Sequence, residues 1–366
     1  MPAHSRHDRA LAAIDGGDRW SLVDPIADAR WESFLARVSR ANAFHHPAWL
    51  SLLQQSYGYS VAACCVLDDA GEIAAGLPLA LVGGPLRRTR LAALPFTDHC
   101  EPLTTPDRPE LAAGLTTALD DLRSQLGVAL EVRGAVAEAA DARVVDSYHQ
   151  HEIALEPDAE AVINRFRRRS QLLRGARRAE REGLTVERHT GAEALGEFFR
   201  LHVATRRRQG VPTQPRRFIL RFADLFADGL GFVMIVRDEG RPIAAAVFLS
   251  FNGTLIYKYG ASDPSALGKR PNNLLFLEAI RNGCAEGFHT LDLGRTDKGH
   301  ESLREFKLSW GAEERTLAYH ELSDATPGTD GAAAGPGLAY RAAPIIRRSP
   351  PLVSRLIGEA LYRYAG

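Results

Sequence analysis

The chain repeats itself. VLDDAGEIAAGLPLAL at 66–81 and IVRDEGRPIAAAVFLSF at 235–251 share one pattern. In each, an apolar run meets a short acidic turn ending in glycine and a second apolar run follows, as in a β-hairpin. Amphipathic helices precede both hairpins. After each come a strand, a helix closed by glycine (Gly127, Gly287) and a buried strand, VALEVRG or FHTLDLG. A repeat with a period of roughly 160 residues is too long for a solenoid and confines the chain to two similarly folded α/β (α+β) units.

The elements follow from periodicity and punctuation. Helices are expected over Asp24–Ser39 and from Pro47, which suits a first helical position. The first hairpin joins Val61–Leu67 to Ile73–Val82. A strand at Arg90–Leu94, a helix at Glu110–Gln125 and VALEVRG complete that half. The second half should hold helices at Glu193–Arg208 and Arg216–Phe226, then the hairpin, a strand at Thr254–Tyr259, a helix from Pro271 to about Glu286, and FHTLDLG. The resulting divisions are a loose leader at 1–22, units at 23–155 and 156–322, a flexible linker at 323–337 and a basic tail at 338–366. In the tail Leu352, Val353, Leu356, Ile357, Ala360, Leu361 and Tyr364 share one helical face, opposite Arg355, Glu359 and Arg363. Such a tail suits either the anionic inner surface of a membrane or packing on its own domain.

Composition narrows the class. With 45 basic and 45 acidic residues the net charge is zero, so any argument for an anionic partner must be local. Arg165–Arg181 and RRRQGVPTQPRR at 206–217 are two such local patches, suited to tRNA, nucleotide phosphates or lipid heads, the first equally to a solvated helix. Cys64, Cys65, Cys100 and Cys284 form no C-x-x-C pair, as expected of reduced thiols in a cytoplasmic chain. The N-terminus lacks a secretion-signal core, and the apolar run at Ile73–Leu86 is broken by Pro78, Gly83, Gly84 and Pro85.

Of the 45 basic residues only four are lysine, and Lys258, Lys269, Lys298 and Lys307 all fall between Tyr257 and Gly311. Lysine differs from arginine in offering a compact amine whose pKa responds to burial. Within this stretch Gly268, Lys269, Arg270, Asn272 and Asn273 surround the start of the helix at Pro271, where free backbone N–H groups, a positive dipole end and two cations suit a phosphate. The spacing fits neither a Walker loop nor a dinucleotide fingerprint. Asp292, Arg295, Thr296 and Asp297 lie at the carboxyl end of a strand, where sheets bind ligands. Asp292 needs a partner there, with Lys258 or Lys307 on a neighbouring strand available for a functional or a purely structural pair. Lys307, between Phe306 and Leu308, is suited to meet a developing oxyanion or to snorkel beside Trp310. In the first half His45, His46, Asp98 and His99 stand at element ends in no metal-binding spacing and suit a substrate-lining role.

Taken together, FHHPAWL, LPFTDHCEPL, ARRAEREGL, TRRRQGVP, YKYGASD, RPNNLLFLEAI, LDLGRTD and LREFKLSWGAEE resemble the FemAB-like, BioF2-like (CelD-type) branch of the GNAT acyltransferase superfamily, from about Asn42 to Leu322. The resemblance implies tandem GNAT folds, each a mixed twisted sheet flanked by helices. It implies an N-acyltransferase of cell-envelope or polysaccharide metabolism, with no permanently bound cofactor and with acyl-CoA or aminoacyl-tRNA as co-substrate. The lysine of the F-K-x-x-[FW]-G pattern, here Lys307, is implicated in activity, and the donor phosphates meet the helix beginning at Pro271. Read on these residues, Lys307, Tyr259 and Asp292 are catalytic. Gly268, Lys269, Arg270, Asn272 and Asn273 hold donor phosphate, and His45, Asp98, His99, Arg295 and Asp297 hold a peptide, sugar or amino-acid amine. The loop SDPSALGKRPNN is longer than the short turn of CoA-binding relatives, so both donors stay open. The other class of function is a non-catalytic membrane-associated adaptor for envelope polymer assembly.

Overall fold

The computed structural model describes residues 6–324 except 18, 85–86, 138–141 and 167–170, together with 343–344, 346–348, 350, 355–359 and 362. Its first elements are α1 (Arg6–Ala12), β1 (Ser21–Val23), α2 (Ala29–Arg37), α3 (Pro47–Tyr57), β2 (Ser60–Leu67), β3 (Ile73–Gly84), β4 (Arg87–Ala92), β5 (Leu103–Thr104), α4 (Leu111–Leu126) and β6 (Ala129–Arg133). Next are β7 (Ala142–Ala154), α5 (Ala159–Phe166), α6 (Gln171–Arg181), β8 (Thr185–His189), α7 (Ala192–Gln209), α8 (Arg216–Leu220) and α9 (Phe222–Ala227). The last are β9 (Gly231–Asp238), β10 (Arg241–Phe251), β11 (Thr254–Ser262), α10 (Pro271–Ala285), β12 (Thr290–Asp297), α11 (Glu301–Ser309) and β13 (Glu313–Leu322). The tail residues Leu352, Val353, Ala360, Leu361, Arg363 and Tyr364 and the linker from 325 lie outside the described residues.

Contacts divide the chain into two compact units, Met1–Tyr148 with Leu317–Ala333 and Tyr362–Gly366, and His149–Thr316 with Ala334–Leu361. The divisions fall inside β7 and β13. In the first unit the strand order is β1-β2-β3-β4-β6-β13, with β5 beside β3. The hairpin pairs Ser60 with Leu81 through to Cys64 with Leu77, and β6 runs parallel to β4 from Arg90↔Ala129 to Ala92↔Glu131. A parallel partner needs a crossover, and α4 supplies it. In the second unit the order is β8-β9-β10-β11-β12-β7, with the hairpin at β9–β10 and α10 crossing to β12, parallel to β11. The duplication expected from sequence is therefore a duplication of architecture.

Local chemistry sets the element ends. α3 starts where the His46 ring accepts the Ala48 N–H at 3.2 Å and Pro47 fills the first helical position. It stops at Gly58, whose φ of +72° a side chain would strain. Trp31, Phe34, Trp49 and Leu50 are fully buried in the first unit, and Phe198, Phe232, Phe248 and Trp310 in the second. Burying each such side chain stabilises its unit by about 1.5–3 kcal/mol. All four cysteines are buried and unbridged.

Several expectations are corrected. The helix expected over Arg216–Phe226 is two short ones, α8 and α9, broken at Arg221. The break keeps Phe218, Phe222 and Phe226 in a ring-to-ring series (5.3 and 6.2 Å) while turning Phe222 onto Tyr259 at 6.1 Å. Pro264–Lys269 forms a 3-10 turn rather than an open loop, capped by Asp263, which accepts the Ser265 N–H at 2.9 Å. Lys307 lies on the helix α11 and not on a strand. The Arg-rich segment belongs to α5 and α6, with 167–170 between them not described. No helix among the described residues is long and apolar enough to cross a membrane.

Candidate active site

In the second unit the parallel ladder between β11 and β12 is short. Thr254, Leu255 and Ile256 pair with Thr290, Leu291 and Asp292, and pairing then ends although both strands continue. β11 stays on β10 to Ser262, with a bulge at Lys258, because Val247 faces Tyr259 while Phe248 faces Tyr257. A bulge bends its strand and raises the local twist. The outcome is a splay that leaves one edge of β11, beyond Ile256, without a strand beside it among the described residues. The Asp263 N–H goes to Ile243 on the β10 side, whereas the Ser262 N–H goes to Thr205 Oγ1 at 3.0 Å. Strand groups alternate in direction, so the Gly260 N–H and C=O face the open edge as well.

A cavity of about 340 Å³ lies along this part of β11. β11 contributes Tyr257, Gly260 and Ser262, the end of α7 Thr205, Arg208 and Gln209, and the start of α10 Asn272 and Phe276. His300, Ser302, Leu303 and Phe306, in and just before α11, close it. One wall is aromatic: Tyr257 packs on Phe276 at 4.8 Å, and Phe276 on Phe306 at 5.3 Å. Burial pushes the Tyr257 phenol up to about 12, so it stays a neutral hydroxyl. A Cβ on Gly260 would sit 1.7 Å from the Tyr257 hydroxyl. Glycine is thus required where the backbone, the ring and the cavity meet.

The predicted residues distribute unevenly around this cavity. Asn272 lines it. Asn273 points the other way, donating to the Leu172 carbonyl at 3.0 Å and filling the space over Gly175 of α6. Lys269 is ion-paired with Asp238 at 2.6 Å, and that carboxylate raises its pKa. Arg270 takes a left-handed conformation, φ +60°, to turn the chain into Pro271, and its side chain is exposed. Space around Gly268 is open. Tyr259 packs on His202 and Phe222 behind the bulge. Arg295 is half-buried and Asp297 exposed at the end of β12; neither is among the described residues lining the cavity.

Lys307 is buried, and its ammonium donates to the carbonyls of Gly294 at 2.8 Å and Arg295 at 3.0 Å. Asp292, 1 % exposed, accepts the Gly294 N–H at 2.7 Å. Lysine and aspartate together fix the turn at Gly294, φ +70°, by which β12 leaves β11. Beside them the Arg304 guanidinium, aided by His149 and His151, holds the Glu314 carboxyl down at about 2. Burial, and then the charge of Lys307, lowers the His151 pKa.

In the first unit His45 is interior rather than substrate-lining. It is 1 % exposed, bonds the Glu101 carbonyl through Nε2 at 3.0 Å and takes the Asn42 N–H on Nδ1 at 3.2 Å. Burial lowers its pKa to about 4. His99 is joined to it through Asn42 at 3.3 Å. Asp98 and His99 follow a loop in which Leu94 and Phe96 hold positive φ, 59° and 63°, conformations that cost non-glycine residues roughly 1–3 kcal/mol each. Thr97, donating to Leu94 O at 2.7 Å, and Tyr319, donating to Asp98 O at 2.5 Å, hold that loop in place.

Sequence reasoning missed Thr205, Gln209, His300 and Ser302. The first two sit at the end of an amphipathic helix, three and seven residues beyond the buried His202, which marks the inward face of α7. His300 carries only the weak signal of a turn, its N–H bonded to Asp297 O at 3.0 Å.

Residues 166–308 match the family described as an Acetyltransferase (GNAT) domain. No curated protein matches the chain in sequence. Among solved structures, FemX superposes with a TM-score of 0.65 at 15% identity, covering 83% of this chain and 97% of FemX. The L-PGS structure from Bacillus licheniformis gives 0.53 at 15% identity, covering 91% and 97%. At these identities the likeness is one of fold. The second unit thus resembles an acetyltransferase (GNAT) domain in sequence, and the chain has the fold of FemX over most of its length.

Proposed function

We propose that this protein is an N-acyltransferase that moves an acyl or aminoacyl group from acyl-CoA or aminoacyl-tRNA to an amine, in envelope or polysaccharide metabolism. The observation that carries this reading is the splay of β11 from β12, which opens a backbone edge onto a cavity next to the start of α10. The donor's acyl arm enters the cavity, and its phosphates meet the Asn272 N–H at the positive end of α10 with Gly268, Arg270 and the Asn272 side chain. Lys269 lends charge beside them, already shared with Asp238.

The acceptor amine attacks the donor's carbonyl carbon. Negative charge then gathers on the carbonyl oxygen, where the Gly260 N–H is the donor available on the open edge. As the tetrahedral adduct collapses, the bond to the donor's sulfur or ribose oxygen breaks, a proton from the attacking nitrogen passes to that leaving group, and the amide forms. The ammonium of the acceptor must lose a proton first. His300 is the imidazole at the cavity and is assigned this role. Lys307, committed to two carbonyls, acts as a positioning residue that holds the β12 turn. Asp292 shares that task. Arg295 and Asp297, on a strand-end segment of the kind that binds ligands, are assigned to the acceptor.

The test is direct. Full-length protein is incubated with labelled acyl-CoAs or aminoacyl-tRNAs and with amines of the peptide, amino-sugar and amino-acid classes. Amide formation dependent on one donor supports the reading and identifies that donor. Tight donor binding with no amide from any amine would favour the adaptor instead.

A further inference from the structure

On the face of α7 turned away from β11 lies a second groove, of about 700 Å³, distinct from the cavity above. This volume is within the range of ligand sites. Its floor is apolar: Phe199 and Val203, flanked by Ala192, Gly196 and Ala204 at helical spacing. Four arginines converge over that floor: Arg200 and Arg207 from α7, Arg216 from α8 and Arg355 from the tail. One carboxylate, Glu193, shares the lining.

The charge there is largely uncompensated. Many arginines elsewhere among the described residues are ion-paired, as Arg237 is with Glu187 and Glu197 at 2.7 and 2.8 Å. Among the described residues the side chains of Arg207 and Arg216 have neither an ion pair nor a hydrogen bond. Arg200 has only Glu197 at 3.8 Å. Arg355 stacks over the Phe199 ring at 5.6 Å, and the Nε atoms of Arg207 and Arg355 are buried with no acceptor. Like charges brought together over an apolar surface repel unless an anion joins them. Guanidinium groups are the side chains best shaped to clasp a phosphate.

Two further observations decide the kind of anion. The floor gives a phosphate's substituent an apolar surface to lie on. Leu356, next to Arg355, is 57 % exposed and is one of three large hydrophobic side chains left exposed among the described residues. The tail that carries them is seated on the same unit: Gly358 lies against the Thr213 backbone and Arg347 donates to Gln209 O at 3.3 Å. An apolar residue offered to solvent beside a basic groove with an apolar floor matches a phosphate at a lipid surface better than a nucleic-acid backbone. We propose that this groove binds the phosphodiester headgroup of an anionic phospholipid, with Arg207, Arg216 and Arg355 on the phosphate and Leu356 entering the bilayer interface.

The test uses full-length protein and sedimented vesicles of phosphatidylcholine, with or without phosphatidylglycerol. The proposal expects binding only with phosphatidylglycerol. Arg207→Ala and Arg216→Ala should each weaken it by roughly tenfold, as expected for losing a charge-assisted contact. Ala204→Trp, at an exposed position, should weaken it by blocking the groove without changing charge. Arg108→Ala, which removes the same charge from the first unit, should leave it unaltered. Thermal unfolding confirms that each variant is folded. Absence of wild-type binding, or equal loss in the Arg108 variant, overturns the proposal. So does full competition by inorganic pyrophosphate or by an RNA oligonucleotide at equal phosphate concentration, which would reveal a soluble-phosphate or an RNA site.

Discussion

At Gly260 the fold and the proposed chemistry meet in one atom's worth of space. Gly260→Ala forces its Cβ to within 1.7 Å of the Tyr257 hydroxyl and 2.7 Å of Tyr257 Cζ. Overpacking of this kind costs about 1–3 kcal/mol, and here it also shifts the N–H assigned to the oxyanion. Tyr257→Phe in the same chain removes the nearer clash but not the Cζ contact. The double variant should therefore recover part of the lost stability in urea unfolding, and a strictly additive cycle would show that the two residues do not meet. His300→Ala makes a different prediction: stability unchanged and turnover down about a hundredfold. Unaltered turnover removes His300 from the mechanism. The lysines show what residue-level reading can and cannot find. Their clustering marked the stretch that supplies most of the cavity's lining, yet composition holds no information about partners. Lys307 is spoken for by the carbonyls of Gly294 and Arg295, and Lys269 by Asp238. Those partners are set by the turn at Gly294 and by the end of β9, which only the folded backbone brings near.

Among elements, α10 carries two jobs on adjacent residues. Asn272 faces the cavity, while Asn273 ties α10 to α6 through Leu172 and sits over Gly175, where a Cβ would come within 2.5 Å of its amide. In sequence the pair reads as two equivalent donors, because one helical step of rotation is invisible until the buried face is known. The consequence is a split in phenotype. Asn273→Ala should lower the unfolding free energy by about 1–2 kcal/mol, for a hydrogen bond and its packing, with the donor KM unchanged. Asn272→Ala should do the reverse, raising donor KM in an equally stable protein. If both substitutions act alike on KM, the start of α10 is not divided in this way. Regular elements were legible where one face is buried: β2, β3, α4 and α10 lie within three residues of expectation. β8 and β13 were overlooked, since alternating charged and apolar residues in TVERH and RTLAYHEL give short, weak patterns. The α8–α9 break escaped notice because aromatic spacing runs through it unbroken.

For the molecule as a whole, duplication extends to its response to acid. Each unit holds a buried histidine far below the ordinary imidazole range: His45 in the first, at about 4, and His202 in the second, at about 3. Desolvation is the leading cause in both, joined at His202 by the positive charge of Arg206. Unfolding frees each imidazole to titrate near 6.5, so below that pH the unfolded chain takes up protons that the folded chain refuses. Stability should accordingly be level above pH 6.5 and fall as pH drops through 6 and 5. Each histidine should contribute a loss of about 3 kcal/mol by pH 4. His45→Gln keeps a donor for the Glu101 carbonyl and His202→Gln keeps one for Gln214, so both variants can fold while losing the titrating group. Urea unfolding followed by hydrogen exchange reads the amides of each unit separately. His45→Gln should flatten the acid slope for amides of the first unit alone, and His202→Gln for those of the second alone. A slope that persists in the matching unit would place the acid sensitivity in other groups: in His151, whose pKa burial also lowers, or in carboxylates such as Glu314 with its folded pKa near 2, whose contribution instead falls away only below about 4.5.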